Sequence, residues 1–208
     1  MKKILIIPII LIILSSCNHS EQGIRESNFN PEAAVDYARL YSAERNRDYP
    51  EYELNCTNFV SQCLVAGGIA MDDGPEPDAK NRLKSEVSKD KWYCYSEQFA
   101  ENRPPNHSVS TTFVATMDFI EYWTEIRGCE LKQYSNTFDG KEEFLQDVSA
   151  GNIFLLYNNN NEIEHIGLIT DVKDTDAFFC ANTINRTDFS ICNINGAVYP
   201  KLGILSIE

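Results

Sequence analysis

Positive charge is scarce in this sequence. Its 18 Lys and Arg stand against 31 Asp and Glu, a formal net charge of -13, the wrong sign for the counterion release that drives binding to DNA or RNA. Nucleic acid is excluded as a partner. Long apolar runs are missing as well. The longest, residues 4–14, covers 11 positions and contains Pro8; at about 1.5 Å per residue it falls well short of the roughly 30 Å hydrocarbon core. That excludes a multispanning membrane protein. No paired C-x-x-C and no H-E-x-x-H spacing occurs, so neither a metal nor another cofactor is expected. Histidine numbers only three, which confines a catalytic imidazole to His19, His107 or His165. The remaining composition, 43% hydrophobic and 11% aromatic over 208 residues, suits one globular domain with an appendage, expected as a monomer.

The appendage is the N-terminus. Lys2 and Lys3 precede the apolar run, and Ser15, Ser16 and Cys17 follow it, the n-region, h-region and small-residue cleavage site of a secretory signal. The tetrad Leu14-Ser15-Ser16-Cys17 resembles the bacterial lipobox. That resemblance implies that residues 1–17 are a lipoprotein signal and that Cys17 is acylated and becomes the mature N-terminus. Diacylglycerol plus an N-acyl chain would exceed the two signals that a stable anchor needs. The expected location is therefore the surface of a bacterial cell-envelope membrane, with the lipid as the membrane contact. Residues 18–29 are polar without apolar periodicity and read as a tether.

Residues 30–208 read as the folded domain. Asn30, Pro31 and Glu32 make a cap, an N1 proline and an acidic first turn, and Ala34, Tyr37, Ala38 and Tyr41 continue at helical spacing, predicting a helix over 31–47. A loop containing Pro50 follows. Cys56, Phe59, Val60, Cys63 and Leu64 fall at i, i+3, i+4, i+7 and i+8, with Gly67-Gly68 as a stop, predicting a second helix over 56–66. Pro75, Pro77, Pro104 and Pro105 mark residues 71–108 as a long excursion with a short helix near 80–87, packed down by Trp92, Tyr93, Tyr95 and Phe99. Ser110 can cap a helix running to 126, with Phe113, Met117, Ile120 and Thr124 on one face, and a short helix over 141–148 follows. Strands are predicted over 153–157, 165–172, 177–183, 189–193 and 203–207, with the asparagines 158–161 as a turn. Helices first and antiparallel strands second is an α+β pattern.

Seven cysteines are present. With Cys17 assigned to lipid, six remain, and in an exported protein they could form three bridges. Cys56 and Cys63 stack about 10 Å apart along one helix and cannot pair with each other. Cys180 and Cys192 flank a hairpin and form the one candidate bridge. Cys63 is expected in the core.

Cys56 is placed differently, at the first turn of its helix after a loop that can expose it. Unpaired backbone N–H groups and the helix dipole favour a thiolate there. A nucleophile so placed needs a base, and His165, at the leading end of a strand, is the candidate. Asn182, one hairpin further on, can orient the imidazole through its amide oxygen. The order Cys, His, Asn along the chain, on a helix start and two consecutive strands, is the papain-like arrangement. The backbone N–H of Cys56 is the first oxyanion donor, and the Asn55 amide and Tyr52 are further candidates.

The run Asn55-Cys56-Thr57-Asn58-Phe59-Val60-Ser61-Gln62-Cys63-Leu64, followed by Ala66-Gly67-Gly68, resembles the signature of the amidase domain family that belongs with the papain-like NlpC/P60 peptidases. Ala34-Val35-Asp36-Tyr37-Ala38, Ser108-Val109-Ser110, Gly151-Asn152-Ile153, His165-Ile166 and Asn182-Thr183-Ile184-Asn185-Arg186 follow in the order that family shows. The resemblance implies an NlpC/P60-type fold, N-terminal helices packed on an antiparallel sheet. It also implies amide hydrolysis through a thioester on Cys56, with peptide or cell-wall peptide as substrate. The chain departs from the family pattern at four positions: Asn55 replaces Asp, Thr111 replaces Trp, Asn152 replaces Asp and Asn182 replaces His. These departures motivate an alternative, an inactive lipoprotein of the same fold that binds a peptide or glycopeptide. Acyl transfer to an amine is a third outcome of the same thioester chemistry.

Overall fold

A computed structural model describes residues 29–207. The expected signal segment, Cys17, His19 and nearly all of the expected tether lie outside the described residues. Helix α1, Pro31–Tyr41, starts as its sequence dictates: Asn30 Oδ1 accepts from the Ala33 N–H at 3.2 Å, and Ala34, Val35 and Ala38 are buried. It ends six residues earlier than its predicted limit. The Tyr41 and Ser42 carbonyls accept from Asn182 Nδ2, at 3.1 and 2.9 Å, and the Ala43 carbonyl accepts from Asn185. Carbonyls that would have carried the helix onward are thus taken by the far end of the chain.

Helix α2, Cys56–Ala66, is buried without a break from Cys56 to Leu64. A helix with polar side chains on its buried faces must satisfy them internally. Ser61 Oγ donates to the Phe113 carbonyl at 2.8 Å and accepts from Trp92 Nε1 at 3.1 Å. Gln62 accepts from the Tyr37 hydroxyl at 2.8 Å, and Thr57 shares a 2.7 Å bond with Thr116. Gly67 caps the helix and Gly68 follows at φ +91°, a left-handed position that favours glycine.

The excursion is a small sheet. Strands β1 (Leu83–Glu86), β2 (Cys94–Glu97) and β3 (Asn106–Ser110) lie in the order β1-β3-β2, with β1 parallel and β2 antiparallel to β3. The helix expected at 80–87 is therefore a strand: Leu83 to Glu86 alternate between exposed and half-buried, a period of two that serves pairing with β3. Trp92 is fully buried, with its ring 5.0 Å from Phe113 and 5.4 Å from Trp123, so the excursion does pack onto the body.

The single helix predicted to end at 126 is three pieces, α3 (Thr111–Val114), α4 (Thr116–Glu121) and a π-helical turn (Tyr122–Ile126), broken at an extended Ala115. Ser110 does not cap it; the Ser110 hydroxyl accepts from the Tyr93 N–H and bonds Thr112. Met117, expected on the buried face with Phe113 and Ile120, is 56% exposed. Strand β4 (Leu131–Ser135) was not foreseen, because a short edge strand of mixed polarity leaves little periodic signal. Helix α5 (Phe138–Asp147) begins at a Thr137 cap.

Strands β5 (Ile153–Tyr157), β6 (Ile163–Lys173), β7 (Asp176–Ala181), β8 (Arg186–Ser190) and β9 (Lys201–Leu205) join β4 in a six-stranded antiparallel sheet of order β4-β9-β5-β6-β7-β8. Alternation divides its side chains between two cores. Leu155, Ile166, Leu168 and Cys180 face Cys56, Phe59 and the other helices. Phe154, Leu156, Ile169, Phe179 and Leu202 face Phe144 of α5. The fold is α+β, helices on an antiparallel sheet.

The candidate bridge between Cys180 and Cys192 does not form; both are free thiols. The Cys192 N–H bonds Asp176 Oδ1 at the start of β7, four residues from Cys180, roughly 13 Å along a strand and beyond disulfide reach. Among the described residues no helix is long and apolar enough to cross a membrane, and no cluster of three or more His, Cys, Asp or Glu could hold a metal ion.

Candidate active site

Asn55 immediately precedes α2 but does not cap it. Its N–H donates to Thr183 Oγ1 at 2.8 Å, and its Nδ2 donates to Asn182 Oδ1 at 2.9 Å. Its Oδ1 accepts from Asn58 Nδ2 at 2.9 Å and from the Tyr52 N–H at 3.4 Å. Since the amide is turned away, the N–H groups of Cys56, Thr57 and Asn58 keep no acceptor among the described residues. An uncapped helix start buried in protein offers donors and a positive dipole end to an anion. Cys56 sits on it, 7% exposed, and the one polar neighbour of its Sγ is Thr57 Oγ1 at 3.9 Å.

Asn182 is buried, and its whole amide is engaged: Oδ1 by Asn55, Nδ2 by the Tyr41 and Ser42 carbonyls. It does not orient His165 here. Instead it ties the end of α1 to the residue before the cysteine. Thr183, at φ +86°, completes the tie through the Asn55 N–H. Neither this role nor Thr183 had any sequence signal beyond adjacency to Asn182.

His165 lies in β6, opposite Leu156 of β5. A register irregularity between Leu156 and Tyr157 falls beside it, and the residue is half-buried. Its Nε2 is buried without a partner, and no hydrogen bond joins it to Cys56 or to Asn182. Burial, helped by the nearby Arg186 charge, pushes its pKa down to about 4, because removing a cation from water disfavours the protonated ring. The imidazole is neutral at pH 7. Hydrogen bonds thus link Tyr52, Asn55 and Asn182 beside Cys56, and none joins His165 to them.

Tyr52 has a buried, unpartnered hydroxyl, and burial pushes its pKa up to about 12. It remains a neutral donor throughout the physiological range. The other described histidine, His107 of β3, is buried with Nδ1 2.8 Å from Ser96 Oγ, and burial followed by the Arg82 charge lowers its pKa. It lines a cleft of about 1310 Å³ whose wall also includes Asn55 and Gln62. This cleft therefore begins one residue before the cysteine.

Residues 28–197 match the family described as "Putative amidase domain". The chain belongs to that family. The description points to a hydrolase acting on amide bonds. The amidase domain is also similar to "Uncharacterized protein YhbB" of Bacillus subtilis (strain 168), 43% identical over 51 residues, which are 24% of this chain and 16% of that relative. The similar stretch thus spans less than a fifth of the relative's length. No solved structure matches the amidase domain.

Proposed function

We propose that this amidase domain is a cysteine amidase or peptidase of papain-like, NlpC/P60-type architecture, exported and held on a membrane by lipid on Cys17. Its substrate class is an amide bond in peptide, cell-wall peptide included. The observation that carries the reading is Cys56 at a buried helix start whose first three N–H groups are unclaimed. Those groups favour the thiolate before attack and can receive the carbonyl oxygen as it becomes an oxyanion. His165, neutral at pH 7, takes the Cys56 proton; the thiolate adds to the carbonyl carbon. The C–N bond then breaks, the amine leaving with the proton from His165, and water cleaves the thioester to a carboxylic acid. Asn182 acts through Asn55 as a positioning residue for the cysteine.

That no hydrogen bond joins His165 to Cys56 favours a second reading, the inactive lipoprotein that binds a peptide or glycopeptide in the same cleft. Iodoacetamide alkylation of each cysteine, read by mass spectrometry on the chain from Asn18 and on its His165→Ala variant, separates the two. Under the first reading Cys56 alkylates fastest at neutral pH and slows when His165 is removed. An ordinary rate that ignores His165 moves the assignment to the binding protein.

A further inference from the structure

The chain has eight arginines, and the partners of the seven described ones divide them sharply. Arg39 pairs with Asp188, Arg127 with Asp72 and the Tyr122 hydroxyl, and Arg186 lies 4.3 Å above the Phe189 ring. Arg45 donates to Glu51 and to the Tyr52 carbonyl. Arg47, Arg82 and Arg103 make no side-chain hydrogen bond, ion pair or ring contact among the described residues, and all three line the cleft beside Asn55. In a chain with 31 carboxylates, an arginine without one is unusual, and three gathered in one concavity form a pattern. Five planar donors each, always charged, make guanidinium groups the side chains best matched to carboxylates.

The two walls have different origins. Arg45 and Arg47 come from the loop between α1 and α2, while Arg82 and Arg103 come from the excursion, just before β1 and between β2 and β3. Guanidinium groups therefore face the cleft from both sides. Glu44, Asp48 and Glu51 share its lining, so the field is mixed rather than uniformly positive. That suits a peptide carrying carboxylates among neutral or cationic groups better than a polyphosphate, which would meet three like charges. We infer that the cleft binds an acidic peptide by its carboxylates, with Arg47, Arg82 and Arg103 as the specificity-determining residues and the excursion as the element that supplies two of them. The inference rests on the cysteine amidase reading for the bond broken beside Asn55; the recognition itself does not depend on turnover.

The test uses the chain from Asn18 carrying Cys56→Ser, so that binding is read without hydrolysis. Isothermal titration with acetyl-Ala-Glu-Glu-Ala amide is compared with acetyl-Ala-Gln-Gln-Ala amide. The Glu peptide is expected to bind at least about tenfold more tightly, and R82Q/R103Q to lose about tenfold for the Glu peptide alone. Both side chains are exposed and unpartnered, so the thermal midpoint of R82Q/R103Q should match that of its parent. Equal affinity for the two peptides, or Glu-peptide affinity unchanged in R82Q/R103Q, overturns the inference. Inorganic phosphate displacing the Glu peptide at equal concentration also overturns it, reducing the cleft to a simple anion site. If the unmodified chain hydrolyses peptides but binds both probes alike, only this inference is lost. If it hydrolyses nothing while the Cys56→Ser variant still selects the Glu peptide, only the amidase reading is lost.

Discussion

Asn55, Thr57, Ser61 and Gln62, around the start of α2, are each held by at least one hydrogen bond to another element, whereas His165 is held by burial alone. Its Nε2 is buried without a hydrogen-bond partner among the described residues. The cysteine end of the site is fixed from α1, α3, α4, the turn between β7 and β8 and the excursion together, and the histidine end has no side-chain hydrogen bond to direct it. Hydrogen bonds specify orientation in a way that apolar contact does not. The lesson is that the Cys56 region is built to hold one geometry. The His165 ring has no hydrogen bond to fix its orientation, and an orphaned nitrogen that gains from any partner offered to it.

The sharpest way to break the comparison is at Cys56 itself. Cys56→Ala should reduce peptide hydrolysis by about 10³-fold or more, as expected when a nucleophile is removed, with the urea midpoint nearly unchanged because the surrounding polar contacts do not use Sγ. Steady-state turnover and equilibrium unfolding on the same preparation check both halves. Hydrolysis persisting at the parent rate would show that the fixed geometry serves something other than attack by sulfur.

The next effect is on the tie between the ends of the chain. Asn182→Ala leaves Asn55 Nδ2 and the Tyr41 and Ser42 carbonyls without their partner in a buried setting, and should cost about 2–4 kcal/mol in urea unfolding. A residue that only oriented His165 would alter the pH–rate profile and leave stability close to the parent, so the two measurements assign Asn182 to one end of the site or the other.

Much of this geometry was legible in the sequence where one physical rule acted alone. The five apolar positions from Cys56 to Leu64 repeat at helical spacing, and α2 follows them to the residue. Strand β5 likewise matches its apolar run, since a strand between two cores is apolar on both faces. Where a distant partner intervened, local pattern failed. Helix α1 stops at Tyr41 because Asn182 takes its carbonyls, and the segment at 83–86 pairs with residues 24 positions further on instead of coiling. At the site, position on a helix start was readable for Cys56. The setting of His165 was not, because a register irregularity falls beside it, and a bulge breaks the alternation by which a side chain's face is read.

His165 also gives the comparison a pH dependence. A group whose folded pKa lies below its unfolded value binds fewer protons when folded, so folding is opposed as pH falls through that interval. With the ring depressed from 6.5 to about 4, its contribution is constant above pH 6.5 and is lost progressively toward pH 4, about 3 kcal/mol in total. His165→Gln should flatten the stability profile across that window while leaving the stability at pH 8 within about 1 kcal/mol of the parent. If the slope between pH 6.5 and 4 survives the substitution, the ring is not buried as a neutral base.

The smallest effect concerns the thiols, and it separates the two regions by reactivity. Cys192 is exposed on the sheet side, yet burial of the sulfur and the Asp176 charge raise its pKa, and the thiolate is the reacting form. Cys56 is far less exposed but stands at a helix start with unclaimed N–H groups. Exposure alone ranks Cys192 first toward iodoacetamide at pH 7; helix-end stabilisation ranks Cys56 first. Because Cys56, Cys63, Cys94, Cys180 and Cys192 are free thiols, adding dithiothreitol should leave the unfolding free energy within about 0.5 kcal/mol. A larger drop would reveal a bridge formed on oxidation, and Cys192 with a second chain would be its natural site, since Cys63 and Cys180 are enclosed in the helix-side core. With no such drop, the alkylation ranking reads directly on how far the start of α2 outweighs simple access.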